Sequence, residues 1–226
     1  LDDKTDALLM KSEQIRGEVF KPTERIKLYV VEVKNTTKGP KVTVSRTHPE
    51  LVKRLFEAEV TEVRDGTVEI KSIAREAGSR TKIAVWSNDP DVDPVGACVG
   101  MNGARVGAVV NELRGEKIDI INWSDNPAIL IENALSPAKV ISVMADPDER
   151  TASVIVPDYQ LSLAIGKEGQ NARLAARLTG YKIDIKSETQ AKEMGLFEQM
   201  GLQYGDAPEE TEEVSQDDYQ EENNEQ

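Results

Sequence analysis

The chain has 226 residues, a formal net charge of −13 and only 4% aromatic residues, which leaves room for two or three small domains with cores of Ile, Val, Leu and Ala. It contains no apolar run long enough to predict a transmembrane helix and opens on no signal-peptide pattern. A single cysteine (Cys98) and a single histidine (His48) exclude an internal disulfide framework and a zinc site of ordinary ligand count, and fit a reducing, cytoplasmic setting.

In chain order, the spacing predicts strands over 25–33 and 41–45 around a turn at 35–40, with Leu8, Leu9 and Met10 as the end of an earlier strand. From His48 the period changes. Leu51, Val52, Leu55, Phe56 and Val60 fall on one helical face, and Pro49 suits the first turn. Strands follow over 67–73 and 81–86, then a short helix from Pro94, a Gly-x-x-Gly loop, a helix over 104–113 stopped by Gly115, and a strand over 116–121. The same order then recurs: a helix over 127–135 capped at Asp125 or Asn126, strands over 138–145 and 151–156, a short helix over 158–165, a second Gly-x-x-Gly, a helix over 171–178 ended by Gly180, and a strand over 181–186.

The recurrence extends to residues. VGMNG at 99–103 leads to Lys117-Ile118-Asp119-Ile120, and IGKEG at 165–169 leads to Lys182-Ile183-Asp184-Ile185, with a connecting helix one residue shorter. A lone Gly-x-x-Gly arises readily by chance in a chain with 15 glycines; two that open a helix and lead at near-equal distance to one tetrapeptide do not. Charge is also unevenly spread. Residues 206–226 hold ten acidic side chains and no basic one, so the remainder carries 28 basic against 31 acidic groups, with basic stretches at 71–82 and 165–186. The acidic stretch is predicted to be disordered.

Helices and strands around a Gly-x-x-Gly turn resemble the KH domain in its prokaryotic, type II order. The preceding β segment resembles the later strands of an OB-fold barrel. Together with REAGSRTKIAV at 75–85, DPVGACVGMNG at 93–103, GEKIDII at 115–121, NALSPA at 133–138, KGP at 38–40 and SRTHP at 45–49, the order resembles the NusA family of bacterial transcription elongation and termination factors over roughly residues 1–190. The resemblance implies an α+β chain: a partial OB-fold barrel at 1–46, KH domains at 47–123 and 124–190, each a three-stranded sheet packed with helices, and a flexible acidic tail at 191–226. It further implies that the family's polymerase-docking domain and first barrel strands are missing, so the chain, which begins with Leu1, reads as a fragment. RNA polymerase is then a partner of the intact protein only, other transcription factors are possible partners, and the chain is expected to be a monomer.

The loops have a physical rationale. Two glycines let a sugar-phosphate backbone approach the main chain, and the helix beginning there offers N–H groups and a positive dipole end to phosphate oxygens. The expected RNA-binding residues are Val99, Gly100, Met101, Asn102, Gly103 and Arg105 in the first copy. In the second they are Ile165, Gly166, Lys167, Glu168, Gly169, Gln170, Asn171 and Arg173. Arg75, Arg80, Lys82 and Lys182 are further candidates for phosphate contact, with a solvated charged face as the plainer alternative for the three residues of the first copy. Trp86 and Trp123 suit packing better than base stacking. No catalytic constellation, metal set or cofactor motif stands out, so the chain reads as a non-enzymatic single-stranded RNA binder that engages nascent RNA in pausing, termination and antitermination. An accessory module of an exoribonuclease is the alternative, although its KH and OB modules run in the reverse order.

Overall fold

The structure is a computed structural model that describes residues 6–37 and 39–199. It contains three separate three-stranded sheets with helices packed on them. The first holds β1 (Ala7–Leu9), β2 (Tyr29–Thr36) and β3 (Gly39–Ser45) in the order β1-β3-β2, with β1 parallel and β2 antiparallel to β3. The strand expected from residue 25 starts only at Tyr29. Side chains claim the preceding backbone: the Lys27 N–H donates to Glu112 and the Lys27 carbonyl accepts from Arg46. Arg46 is fully buried at the end of β3. Its guanidinium donates to the Glu18 carboxylate, to the Lys27 carbonyl and to the Glu112 carbonyl, which binds the first sheet to the unit that follows.

That unit comprises α1 (Pro49–Glu59), α2 (Thr61–Arg64), β4 (Val68–Glu76), β5 (Arg80–Ser87), α3 (Pro94–Val99), α4 (Ala104–Glu112) and β6 (Lys117–Asn122). The His48 ring nitrogen accepts from the Glu50 N–H and caps α1, as the His-Pro start suggests. The sheet runs β4-β5-β6, with β5 antiparallel to β4 and parallel to β6. One face closes a core of Leu51, Val52, Leu55, Phe56, Ile83, Val85 and Leu113.

The second unit repeats this plan with α5 (Pro127–Ala134), β7 (Ser142–Asp146), β8 (Thr151–Val156), α6 (Leu161–Ile165), α7 (Gln170–Thr179) and β9 (Lys182–Ser187), in sheet order β7-β8-β9. Its first strand begins at Ser142, not 138, because the Lys139 N–H is taken by the Gln160 side chain and no strand partner reaches it. The two units share a core. Ala74, Ala84 and Ile121, on the outer face of the first sheet, belong to one buried cluster with Leu130, Ile131, Leu174 and Leu178. At roughly 25 cal/mol per Å² of apolar surface removed from water, such a shared core ties the pair into one body.

The chain does not turn flexible at 191. Two further helices, α8 (Glu188–Glu193) and α9 (Leu196–Gln199), lie across the expected boundary. Ser187 and Gln190 form a reciprocal capping box that starts α8. Ala191 and Phe197 pack on Ile155, covering the outer face of the second sheet. The acidic stretch at 206–226, expected to be disordered, lies outside the described residues.

Candidate nucleic-acid interface

The two Gly-x-x-Gly loops have the same backbone. Gly100 sits at φ 74, ψ 173 and Gly166 at φ 77, ψ 170; Asn102 and Glu168 at φ 52 and 54; Gly103 and Gly169 both at φ 73, ψ 16. The first glycine of each loop lies where only glycine is at ease. A Cβ at Gly100 would come within 2.7 Å of Arg105 Cγ, and one at Gly166 within 2.8 Å of the Asn171 backbone nitrogen. The second glycine has almost nothing near it: a Cβ there would meet only Val106 Cγ1 at 4.0 Å in the first loop and Arg173 Nη1 at 3.9 Å in the second. A side chain at the first glycine would therefore clash within the fold, whereas the second glycine, itself at φ 73, has open space beside it.

The helices that start at these loops differ from the other long ones. α1 and α5 are capped by the side chains of His48 and Asn126, whereas α4 and α7 begin at Gly103 and Gly169 with no side-chain cap. The first N–H of each, on Ala104 and Gln170, donates back to the Met101 and Lys167 carbonyls, and the positive dipole ends lie at an exposed loop, an arrangement that favours phosphate oxygens. Met101 is 85% exposed at the tip of the first loop, and Asn102, Lys167 and Glu168 are also exposed. Beside each loop the short helix packs on the edge strand, α3 on β6 and α6 on β9. Leu163 and Ile165 of α6 present apolar surface there.

Arg105 and Asn171 occupy the same place in the two copies, and both turn inward. Arg105 Nη1 donates to the Ala97 carbonyl of α3 and pairs with Glu62. The buried Asn171 Nδ2 donates to Leu135, Leu163 and Ala164 carbonyls. Each completes the end of the short helix before its loop. Gln170 and Arg173 reach across to the first unit: the Glu76 carboxylate accepts from Gln170 Nε2 at 2.9 Å and from Arg173 Nε at 2.5 Å, with Arg177 Nη1 at 3.6 Å. These bonds, Arg173's first, hold the Glu76 carboxyl at about 2.

The four further candidates divide. Arg75 is buried, with Nε and Nη2 on the Glu116 carboxylate and Nη1 on the His48 carbonyl. Lys82 is also buried, with Nζ 2.8 Å from the Ser136 carbonyl and 3.1 Å from Asp119. Burial draws its ammonium pKa down despite Asp119. Neither charge reaches solvent, so both leave the list of phosphate contacts, and the solvated-face alternative fails for them too. Arg80 is half-buried and doubly bonded to Asp119, whereas Lys182 is exposed at the start of β9.

A cavity of about 360 Å³ lies where the units meet, lined by Ser79, Arg80 and Lys117 from the first and by Leu163, Lys167 and Gln170, among others, from the second. Lys117 lines this cavity, and the sequence reading passed over it. The repeat had marked it, as the counterpart of Lys182 in the shared tetrapeptide. Glu76 carried no such signal, because its role depends on the neighbouring unit. Cys98 is fully buried, which raises its thiol to about 12 and leaves it inert. Among the described residues no group of three or more His, Cys, Asp or Glu could hold a metal ion, and no helix is long and apolar enough to cross a membrane.

Two loop–helix–strand units, side by side with matching uncapped helix starts, define a tandem KH protein. The NusA-like first KH domain matches residues 46–123 and the NusA-like second KH domain residues 127–193. Similarity extends beyond the pair: a Bacillus subtilis protein named transcription termination/antitermination protein NusA is 64% identical over 194 residues, 86% of this chain and 52% of that one. Proteins of the same name from Mycobacterium tuberculosis and Thermus thermophilus are 55% and 51% identical over 81% and 80% of this chain, and 53% and 47% of their own lengths. The chain belongs to the NusA family, and it spans about half the length of these relatives.

Proposed function

We propose that the chain binds single-stranded RNA along its two KH units, and that the intact protein engages nascent RNA at RNA polymerase to modulate pausing, termination and antitermination. The observation that carries this reading is the pair of exposed glycine loops with one backbone geometry, each opening a helix that lacks a side-chain cap. Phosphates would lie against the open second glycines and the positive dipole ends of α4 and α7. Bases would lie in the grooves between α3 and β6 and between α6 and β9, about four per unit. Lys117 and Lys167, both lining the cavity at the junction, would carry the strand from one groove to the next. The shared core fixes the two grooves relative to each other, so the second binding event is intramolecular and avidity rises without new contacts.

In this reading the chain is monomeric, cytoplasmic and non-catalytic, and the β1-β3-β2 sheet is the remnant of an OB-fold barrel. The names of the relatives support the transcription role. Polymerase and other transcription factors are partners of the whole protein.

The test is fluorescence anisotropy with short single-stranded RNAs across a salt series, with duplex RNA and DNA as competitors. The variant combines Met101→Asp and Asn102→Asp with Lys167→Asp beside the existing Glu168. Selective binding that falls more than about tenfold in the variant is the expected result, since like charge is placed at two phosphate sites. Equal, weak binding by both proteins would reduce the loops to structural turns.

A further inference from the structure

At the other end of α3 from the first glycine loop lies a second cavity, of about 510 Å³, where Val85, Trp86, Pro90, Pro94 and Trp123 supply apolar walls. Its size is that of an ordinary ligand pocket. Trp86 is 41% exposed, although β5 around it is buried. Trp123 is held in place: its backbone N–H donates to the Val85 carbonyl and its indole Nε1 to Asp125 Oδ1 at 3.1 Å. The loop that forms the rim is equally fixed. Ser87 Oγ donates to the Asp89 carbonyl, Asp89 Oδ1 accepts from the Asp91 N–H, and Asn88 Nδ2 donates to Gly66 and Glu69. The walls are therefore preformed, and binding there would cost little ordering.

The charges on its walls and rim loop have one sign; beyond them, Glu69, which accepts from Asn88, is paired with Lys71. Asp89 lines the cavity, Asp91 and Asp93 follow on the same loop, Asp125 holds Trp123, and no lysine or arginine lines the walls. Asp93 uses both oxygens to cap α3, whereas the bonds of Asp89 and Asp125 among the described residues each take a single carboxylate oxygen. A phosphodiester strand would carry its charge onto a carboxylate rim, and the acidic stretch at 206–226 would do the same. A guanidinium meets both demands at once: its planar face stacks on indole and its N–H fork pairs with a carboxylate.

We infer that the Trp86–Trp123 cavity takes an arginine side chain of a protein partner, presented on an extended, apolar-flanked segment. Because α3 separates the cavity from the Gly100 loop, such a partner and an RNA strand fit the same unit together.

The two tryptophans are the only ones in the chain, so their indole N–H signals in a ¹H–¹⁵N spectrum report the cavity directly. The full chain is titrated with N-acetyl-arginine methylamide, with the lysine equivalent, and with AMP. The expected result is a saturable shift of both indoles with the arginine compound, weaker with lysine and absent with AMP. Trp86→Ala should abolish the shift of Trp123, and Asp89→Asn should weaken binding by about threefold to tenfold. Trp86 is half-exposed, so its replacement leaves the core intact, and RNA affinity in both variants should stay at the wild-type value. Saturable shifts with AMP alone would make the cavity a nucleobase site. No saturable shift with the arginine compound up to about 50 mM, or a shift indifferent to both variants, would end the proposal.

Discussion

The two KH copies have loops with the same dihedral angles and cores of the same plan, yet their sheets face different neighbours. The outer face of β4-β5-β6 is covered by α5 and α7 of the second copy, while that of β7-β8-β9 is covered by α8 and α9. The shared Lys-Ile-Asp-Ile shows the consequence. Asp119 lies in the junction and pairs with Arg80 and the buried Lys82; among the described residues Asp184, at the same place in the second copy, pairs only with Lys186 at 3.3 Å. The residue before the tetrapeptide diverges as well. Glu116 is buried against Arg75, Thr81 and the Gly78 N–H, whereas Tyr181 is a buried aromatic with Arg150 over its ring. The loop is thus set by its own five residues, and the polar interior by what the rest of the chain packs against it.

Breaking that contrast should have unequal costs. Arg75→Ala leaves the Glu116 carboxylate buried without its cation, a change worth about 3–5 kcal/mol, and a urea midpoint should show it. Tyr181→Phe in the second copy keeps the buried ring and should cost less than about 1 kcal/mol by the same measurement. Equal losses would mean that the buried ion pair contributes no more than the Tyr181 hydroxyl.

The loops should differ next. At Gly166 an alanine Cβ would strike the Asn171 backbone, which cannot step aside. At Gly100 it would strike the root of the Arg105 side chain, Cγ at 2.7 Å, and no main-chain atom. Both substitutions carry about 1–3 kcal/mol of backbone strain, and Gly166→Ala should lie at or above the top of that range with Gly100→Ala clearly lower, as read by thermal melting. Reversed order would show that the two loops are not held as described.

Much of this was legible beforehand because it is local. Glycine positions, the Pro-initiated helices and the period change at His48 place every strand of the two copies to within a few residues and every helix but α2, a single turn at Thr61–Arg64 that no start signal marks. The middle residues of both loops stand exposed where the repeat put them. What was not legible depends on contacts far apart in sequence. Arg75 and Lys82 look like surface cations until their partners Glu116 and Ser136 are known, 41 and 54 residues away. Arg173 and Gln170 look like unengaged RNA ligands until Glu76 arrives from the other copy. The helix at 188 is a different case: its Ser-x-x-Gln capping box was present in the sequence, and the acidic composition beyond it masked the signal.

The Glu76 contact gives a smaller effect with a definite sign. Its folded carboxyl sits at about 2, below the ordinary 4.5, so the stabilisation is fully present above pH 4.5 and is lost as pH falls toward 2. Glu76→Gln should remove this acid dependence between pH 5 and 2 while costing about 1 kcal/mol or less at neutral pH, since Arg173 and Arg177 are exposed and solvent screens the pair. Denaturation midpoints of both proteins against pH would show two curves converging in acid. Parallel curves would place the acid sensitivity elsewhere.

The smallest difference lies in the loop tips. Lys167 carries a charge where Met101, its counterpart, carries none. Each phosphate neutralised by a lysine releases counterions, and for single strands this contributes about 0.7 to the slope of log affinity against log salt. Lys167→Ala should therefore lower that slope by about this amount and weaken RNA binding uniformly across sequences. Met101→Ala should leave the slope unchanged, because an apolar tip can contribute only contact with a base or sugar. A slope that falls in neither variant would place the phosphates away from the loop tips, on the helix starts alone. A slope that falls in both would mean that the first loop acts through charges brought by the rest of its unit.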